Sequence, residues 1–261
     1  MFKFRTITFL STLISLSISL LLISSEAQAQ KSIKDSTISV HLIMGHYDQQ
    51  FPGGDLAKRF GGNSMVGPGY FYKTSGNWIF GADCGFIFGN KVKESHNVLS
   101  NIETEDGNIV DMEGIYATYD FFERGFTVLG KVGKVISLNK PNANSGIMIG
   151  IGGGYMQHKI FIEHRDQTAP QITGDYAKGY DELKRGPAVN AFAGYLFLGN
   201  NRIVNFYLGA ELTAGFTQYV HPYSFNSMKY NTGNFTDLLF SLKFGWLIPV
   251  YRRAPKEFYY Y

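Results

Sequence analysis

From residue 202 to residue 216 the chain alternates with a period of two. Val204, Phe206, Leu208, Ala210, Leu212, Ala214 and Phe216 fall on one face; Asn205, Tyr207, Gly209, Glu211, Thr213 and Gly215 fall on the other. Side chains of a strand switch faces at every residue, so this pattern predicts a β-strand. Residues 237–250 repeat it, with Leu238, Phe240, Leu242, Phe244, Trp246, Ile248 and Val250 in an unbroken apolar row. Residues 77–89 do the same with Trp78, Phe80, Ala82, Cys84, Phe86 and Phe88. These runs are about a dozen residues long, whereas soluble strands average ~5–6. A tilted strand crossing a bilayer needs ~9–11 residues that are apolar outside and polar inside. A soluble sandwich would place its large side chains on the shared inner face. Here the polar rows are rich in glycine and leave little to fill such a core. The pattern predicts an all-β fold: an eight-stranded antiparallel up-and-down transmembrane β-barrel with long extracellular loops.

The eight strands fall at residues 37–47, 64–73, 77–89, 125–138, 146–161, 187–198, 202–216 and 237–250. The connections alternate: long at 48–63, short at 74–76, long at 90–124, short at 139–145, long at 162–186, short at 199–201 and long at 217–235. Bacterial barrels have short periplasmic turns and long extracellular loops, so both termini fall in the periplasm. Residues 114–122 could form a ninth strand. That breaks the alternation, so the segment is assigned to the second long loop, as a β-extension above the membrane. In the first loop, Asp55 to Gly61 reads as one helical turn with Asp55 as N-cap.

The ends assign the compartment. Lys3 and Arg5 precede an uncharged apolar stretch from Ile7 to Ile23, and Ala27-Gln28-Ala29 is a small-x-small cleavage site. Residues 1–29 therefore read as a cleaved signal peptide. The rival reading is an uncleaved membrane anchor, and the Ala-x-Ala ending favours cleavage. Residues 30–36 become a periplasmic N-terminal segment, 37–250 the barrel and 251–261 a periplasmic tail. No later stretch supplies the ~20 mostly apolar residues of a membrane helix. Lys243, Gly245, Ile248 and Val250 fit the polar-x-Gly-x-x-apolar-x-apolar pattern by which terminal strands are recognised by the barrel-assembly machinery. The aromatic tail Phe258-Tyr259-Tyr260-Tyr261 departs from that pattern by following the strand.

Composition agrees: 30 Gly, 22 Phe and 17 Tyr in 261 residues, with 17% charged, suits strands and tight turns better than a helical bundle. Removing Lys3, Arg5 and Glu26 takes the formal charge from +3 to +2, so nothing argues for nucleic acid. One cysteine, Cys84, supports neither a disulfide framework nor a cysteine zinc site.

With these features in place, the chain resembles the small outer-membrane β-barrel proteins of Bacteroidetes-type Gram-negative bacteria. The segments Gly154-Tyr155-Met156-Gln157-His158-Lys159-Ile160 and Asn200-Asn201-Arg202-Ile203-Val204-Asn205-Phe206-Tyr207 carry the likeness. The resemblance is of architecture across the mature chain. It implies an outer-membrane location, and some barrels of this size in these bacteria serve secretion and gliding.

An eight-stranded barrel is just wide enough for side chains to fill. The inward rows offer Ser39, His41, Asp83, Thr127, Lys131, Asn190, Asn205, Glu211, Ser241 and Lys243. Buried charges must be paired. Hairpin symmetry sets Asp83 against Lys131 and Glu211 against Lys243, directly across neighbouring strands. A closing plug is expected over a conduit, because a selective filter would want one sign of charge.

No catalytic, cofactor or metal residues are assigned. Gly150-Ile151-Gly152-Gly153-Gly154 lacks the third glycine of a dinucleotide fingerprint, since Tyr155 stands in its place. His158, His164, Arg165 and Asp166 cluster near one rim, but no Gly-x-Ser-x-Gly elbow accompanies them, and they read as a solvated loop base. The aromatic residues Tyr176, Tyr180, Tyr219, Tyr223, Phe225 and Tyr230 are the candidate loop contacts. They suit protein or glycan surfaces, and equally suit packing on one another or an aromatic girdle at the lipid interface. The expected function is non-enzymatic: a structural or partner-binding barrel accessory to secretion, motility or surface assembly. Its partners would be outer-membrane lipid and lipopolysaccharide, the assembly machinery, and an envelope protein or glycan. The alternatives are a lipid-modifying hydrolase or acyltransferase and a narrow passive pore.

Overall fold

The structure, a computed structural model, describes residues 36–138, 141–164, 168–199 and 204–250. The expected signal peptide, its cleavage site and the tail at 251–261 lie outside the described residues.

Eight strands form a closed antiparallel barrel: β1 (Val40–Gly54), β2 (Asn63–Lys73), β3 (Trp78–Gly89), β4 (Tyr119–Ser137), β5 (Gly146–His164), β6 (Lys184–Leu198), β7 (Asn205–Tyr219) and β10 (Asn234–Val250). The short β8 (Tyr223–Ser224) and β9 (Lys229–Tyr230) pair as a hairpin within the fourth long loop. Each barrel strand pairs with its neighbour in sequence, and β1 closes on β10 from His41↔Val250 to Gly54↔Asp237. The outer face carries exposed Phe80, Phe86, Val128, Ile151, Leu208, Leu242, Phe244 and Trp246. A belt of apolar side chains right round the barrel far exceeds the few hundred Å² that a water-facing surface tolerates, so its solvent is lipid.

Several strands run past their expected ends on the long-loop side. β1 continues to Gly54, β4 begins at Tyr119 and β5 reaches His164. The ladder from Tyr119↔His164 to Arg124↔Lys159 carries β4 and β5 beyond the apolar belt. There the backbone bonds persist while the outer row is no longer strictly apolar, which hides the strand from an alternation test. Residues 119–122 thus belong to β4, and the second loop is shorter than expected.

Two readings of the first hairpin are corrected. Ser39 is exposed before β1, where its Oγ accepts the Ser75 N–H (3.0 Å). His41 points outward, its ring 4.8 Å from that of Tyr72 and its Nδ1 2.6 Å from the Tyr70 hydroxyl. The inward residues of β1 are Val40, Leu42, Met44, His46, Asp48 and Gln50. Apolar side chains face inward here because the periplasmic end of the lumen is itself an apolar core, completed by Phe71, Ile79, Phe192, Leu196 and Leu247. The turn Leu56–Arg59 does form, but Asp55 has helical backbone angles and does not cap it. Its carboxylate instead accepts the Thr236 N–H (3.0 Å) and pairs with Lys58 (2.8 Å), tying the first loop to β10.

Inside so narrow a tube, a glycine on one strand receives a large side chain from the next. A Cβ on Gly245 would lie 2.0 Å from Cε1 of Tyr207, a ring buried in the periplasmic half. The wild-type chain is expected to migrate faster unboiled than boiled on a gel of outer-membrane fractions. Gly245→Ala should diminish that fast band, because overpacking costs about 1–3 kcal/mol. Adding Tyr207→Leu should restore it. Failure of the second change to rescue would show that Gly245 matters for recognition during assembly and not for packing.

Candidate functional site

The lumen is built in layers. At mid-height, Lys131 Nζ on β4 lies 2.6 Å from both Asp83 Oδ2 on β3 and Glu211 Oε2 on β7. Lys243 Nζ on β10 lies 2.8 Å from Asp83, 3.4 Å from Glu211 and 3.3 Å from Asp48 on β1. His46 Nδ1 faces the other oxygen of Asp48 at 2.9 Å. The four charges singled out from sequence therefore meet, but not directly across the ladder. Asp83 stands opposite Leu129, and Glu211 stands opposite Ser241. The lysines reach diagonally by two residues, a span their length allows. Sequence reasoning misses His46 because it takes the odd-numbered face of β1 as inward, and misses Asp48 because that residue also lies beyond the expected end of the strand at residue 47. The continued alternation through Asp48 and Gln50 is the signal that would have found them.

The other inward candidates do different jobs. Ser241 Oγ donates to the Glu211 carbonyl (3.3 Å), and Thr127 packs its hydroxyl against Met65 Sδ (3.4 Å). Asn205 opens β7, where its Oδ1 accepts the Gly199 N–H (2.9 Å) across the short connection from β6. Asn190 borders a small cavity of about 20 Å³ beneath the charges, walled by Phe71, Ile79, Met148 and Phe192. Its amide and the Tyr207 hydroxyl have no protein partner there. Gly152 makes room for Asn190 and Lys131: a Cβ on it would meet Asn190 Oδ1 at 2.3 Å and Lys131 Cγ at 2.9 Å.

Above the charges, His158 is buried, not part of a solvated loop base as its sequence neighbours imply. Its Nε2 lies 2.8 Å from Asp237 Oδ2, which also accepts the Thr217 hydroxyl (2.5 Å). A nucleophilic site needs a hydroxyl bonded to the imidazole, with the carboxylate behind the ring. Here the carboxylate stands between hydroxyl and imidazole, and Phe60 covers the ring edge-on at 5.9 Å. Beside it, Asn63 Nδ2 donates to buried Glu123 (2.7 Å). His164 ends β5, while Arg165 and Asp166 lie outside the described residues.

The loops then close the top. Leu56 and Phe60 of the first loop, Val98, Leu99 and Ile109 of the second, and Ala169, Ile172 and Tyr180 of the third form one core with Met65, Met156 and Leu239 of the barrel. Arg59 ties the first loop to the second and third by ion pairs with Glu94 and Glu182, and to the barrel by a bond to the Tyr219 hydroxyl (3.4 Å). The fourth loop docks through Phe225 N–H to the Gly179 carbonyl (3.0 Å). Asp111 clasps the second loop to the third. Its carboxylate accepts the Thr168 hydroxyl (2.7 Å) and the N–H groups of Glu113 (2.8 Å) and Ile115 (3.1 Å). These bonds, Thr168 foremost, hold its carboxyl below the usual carboxylate range.

Of the six aromatic loop candidates, Tyr176 and Tyr230 stand exposed, at 63% and 76%. Tyr223 is half-buried between Phe225 and Tyr230. Tyr180 is corrected: it is buried, edge-on to Phe225, as an anchor of the cover. Tyr219 and Phe225 likewise spend much of their surface on Phe235 and Tyr180. Clustered rings bury apolar area on one another before they offer it to a partner. In the terminal strand, Lys243 and Gly245 face the lumen, while Ile248 and Val250 face lipid.

Two predictions follow from this geometry. Lys243→Met leaves Asp48, Asp83 and Glu211 with Lys131 as the lysine among them, and breaking such a buried network costs about 3–5 kcal/mol. Urea unfolding in micelles should show the lost midpoint, and adding Asp83→Asn should recover part of it; an unchanged midpoint would mean the cluster is solvated. For Asp111 the folded carboxyl titrates below the unfolded one. Its contribution is therefore complete above the unfolded value of about 3.9 and is lost as pH falls further. Hydrogen-exchange protection of the Glu113 and Ile115 amides should hold from neutral pH to about 5 and fall below about 4. Asp111→Ala should lower it throughout.

No family model and no curated protein matches the chain. Solved structures do show similarity. The attachment invasion locus protein Ail of Yersinia pestis, one structure of which is a complex with the heparin analogue sucrose octasulfate, aligns over 81% of this chain and 99% of its own at 13% identity and a TM-score of 0.39. Neisserial surface protein A covers 79% and 96% at 10% identity and 0.42. The outer membrane protein OprG of Pseudomonas aeruginosa covers 84% and 99% at 11% and 0.34. At that distance the barrel's own residues carry the functional assignment.

Proposed function

We propose that this chain is a non-enzymatic integral outer-membrane β-barrel that acts through its extracellular loop cover. The observation that carries this reading is closure at three levels: an apolar periplasmic layer, a mid-lumen knot of opposed charges and a hydrophobic lid drawn from three loops. A tube filled this way neither conducts nor admits a substrate. Its long loops are folded into a shaped surface, and Tyr176 and Tyr230 project from it. The partner we assign to that surface is another envelope protein or a surface glycan, in secretion, motility or surface assembly. Lys243, Gly245, Ile248 and Val250 serve as the terminal signal for the assembly machinery. The Bacteroidetes-type affinity belongs to the same reading and rests on segments 154–160 and 200–207.

The purified barrel is expected to stay electrically silent in planar bilayers, and a deletion strain should keep its lipid A unchanged by mass spectrometry. Stable conductance steps would overturn closure, and an altered lipid A would restore the lipid-modifying alternative.

A further inference from the structure

The outer edge of the lipid belt differs between the two flanks of the barrel. Moving from mid-belt toward the long loops, the outward row of β4 reads Gly130, Val128, Phe126 and then Arg124. That of β5 reads Gly153, Tyr155, Gln157 and then Lys159; that of β6 reads Val189, Pro187 and then Arg185. The first charge met on each of three adjacent strands is a cation. On β1, β2, β7 and β10 the polar outward residues near that edge are the neutral Gln49, Ser64, Gln218 and Thr236.

These cations are set close together. Arg124 and Lys159 are direct cross-strand partners, and Arg185 stands opposite Gln157, one outward position below Lys159. Like charges directly opposed on one face are destabilising. Their own neighbours offset this only in part. The Arg124 guanidinium lies over the rings of Phe122 (4.8 Å) and Phe161 (5.7 Å) and donates to the Glu123 carbonyl (2.9 Å). Lys159 lies 6.0 Å from the Phe161 ring and 3.8 Å from Asp181. Among the described residues, neither Arg124 nor Arg185 has an acidic partner. The outward acids of this hairpin, Asp120 and Glu163, lie four residues further out, about 13 Å along the strand.

We propose that this flank binds the phosphoryl group of an outer-leaflet lipid, with Arg124, Lys159 and Arg185 supplying the charge and Gln157 a hydrogen bond. The inference rests on the outer-membrane reading, which makes the long-loop end the outer leaflet. Guanidinium groups match phosphate with paired N–H donors. Phe122 and Phe161 flank Arg124 and Lys159 on the loop side, which favours an anion arriving from the lipid side, at the depth where headgroup phosphates begin. An acidic protein would have to descend past both rings.

The test is native mass spectrometry of the refolded full-length barrel with diphosphorylated lipid A, enzymatically dephosphorylated lipid A and inorganic phosphate. Wild type should retain the phosphorylated lipid about tenfold better than the dephosphorylated one. Arg124→Gln/Lys159→Gln/Arg185→Gln should abolish the difference while keeping the fast-migrating unboiled band. Arg124→Lys/Arg185→Lys should keep part of it, because the charge stays while the paired donors are lost. Equal retention of the two lipids, or a triple variant that still discriminates, would overturn the proposal. Displacement of the lipid by millimolar inorganic phosphate would overturn the lipid as the source of the anion. A wild-type chain without a heat-shifted band in lipid vesicles would instead overturn the membrane reading on which the proposal stands.

Discussion

The ladder between β1 and β10 is the contact on which the rest of the barrel depends. In hydrocarbon each unpaired backbone N–H or carbonyl costs several kcal/mol, so a sheet with free edges cannot remain there. Pairing His41 through Gly54 with Val250 through Asp237 removes both edges at once. It also fixes the circumference, and at eight strands that leaves a lumen that must be filled by side chains. The inward glycines follow from this. Gly85 lies against Met65, Gly152 against Asn190 and Lys131, and Gly245 against Tyr207.

What fills the lumen is ordered by polarity. Charges taken out of water are tolerable when each is met by an opposite charge at hydrogen-bonding distance. Asp48, Asp83, Glu211, Lys131 and Lys243 satisfy that condition as a group, where no isolated pair among them would. Apolar layers lie on either side. The polar pairs nearer the loops, His158 with Asp237 and Asn63 with Glu123, are shielded by Phe60 and the residues around it.

β7 and β10 were readable from sequence because their two faces contrast along nearly their whole length. β1 was not, since Val40, Leu42 and Met44 are apolar and yet point inward, where the periplasmic end of the lumen is a hydrocarbon core. An apolar-outside rule reverses the parity there, and it misplaced Ser39 and His41. The extracellular ends of β4 and β5 leave lipid, so the signal fades while the ladder continues. Hairpin symmetry brought Asp83 near Lys131 because the two strands are adjacent. The contact of His158 with Asp237 spans 79 residues and joins β5 to β10, strands that are not paired, and nothing local announces it. Tyr180 shows the same limit in the loops. Its composition suits a surface, and only the fold of the cover makes it core.

The mid-lumen charges come from β1, β3, β4, β7 and β10, the first and last strands included. A chain that enters the membrane hairpin by hairpin carries Asp83 with Lys131 early, but Lys243 finds Asp48 only when the seam between β1 and β10 zips. Until then a partly assembled sheet exposes uncompensated charge along its growing inner surface, which disfavours stopping at six or seven strands. The charge knot is therefore complete in the closed eight-stranded barrel and in no shorter version of it, because Lys243 is the last of its members along the chain.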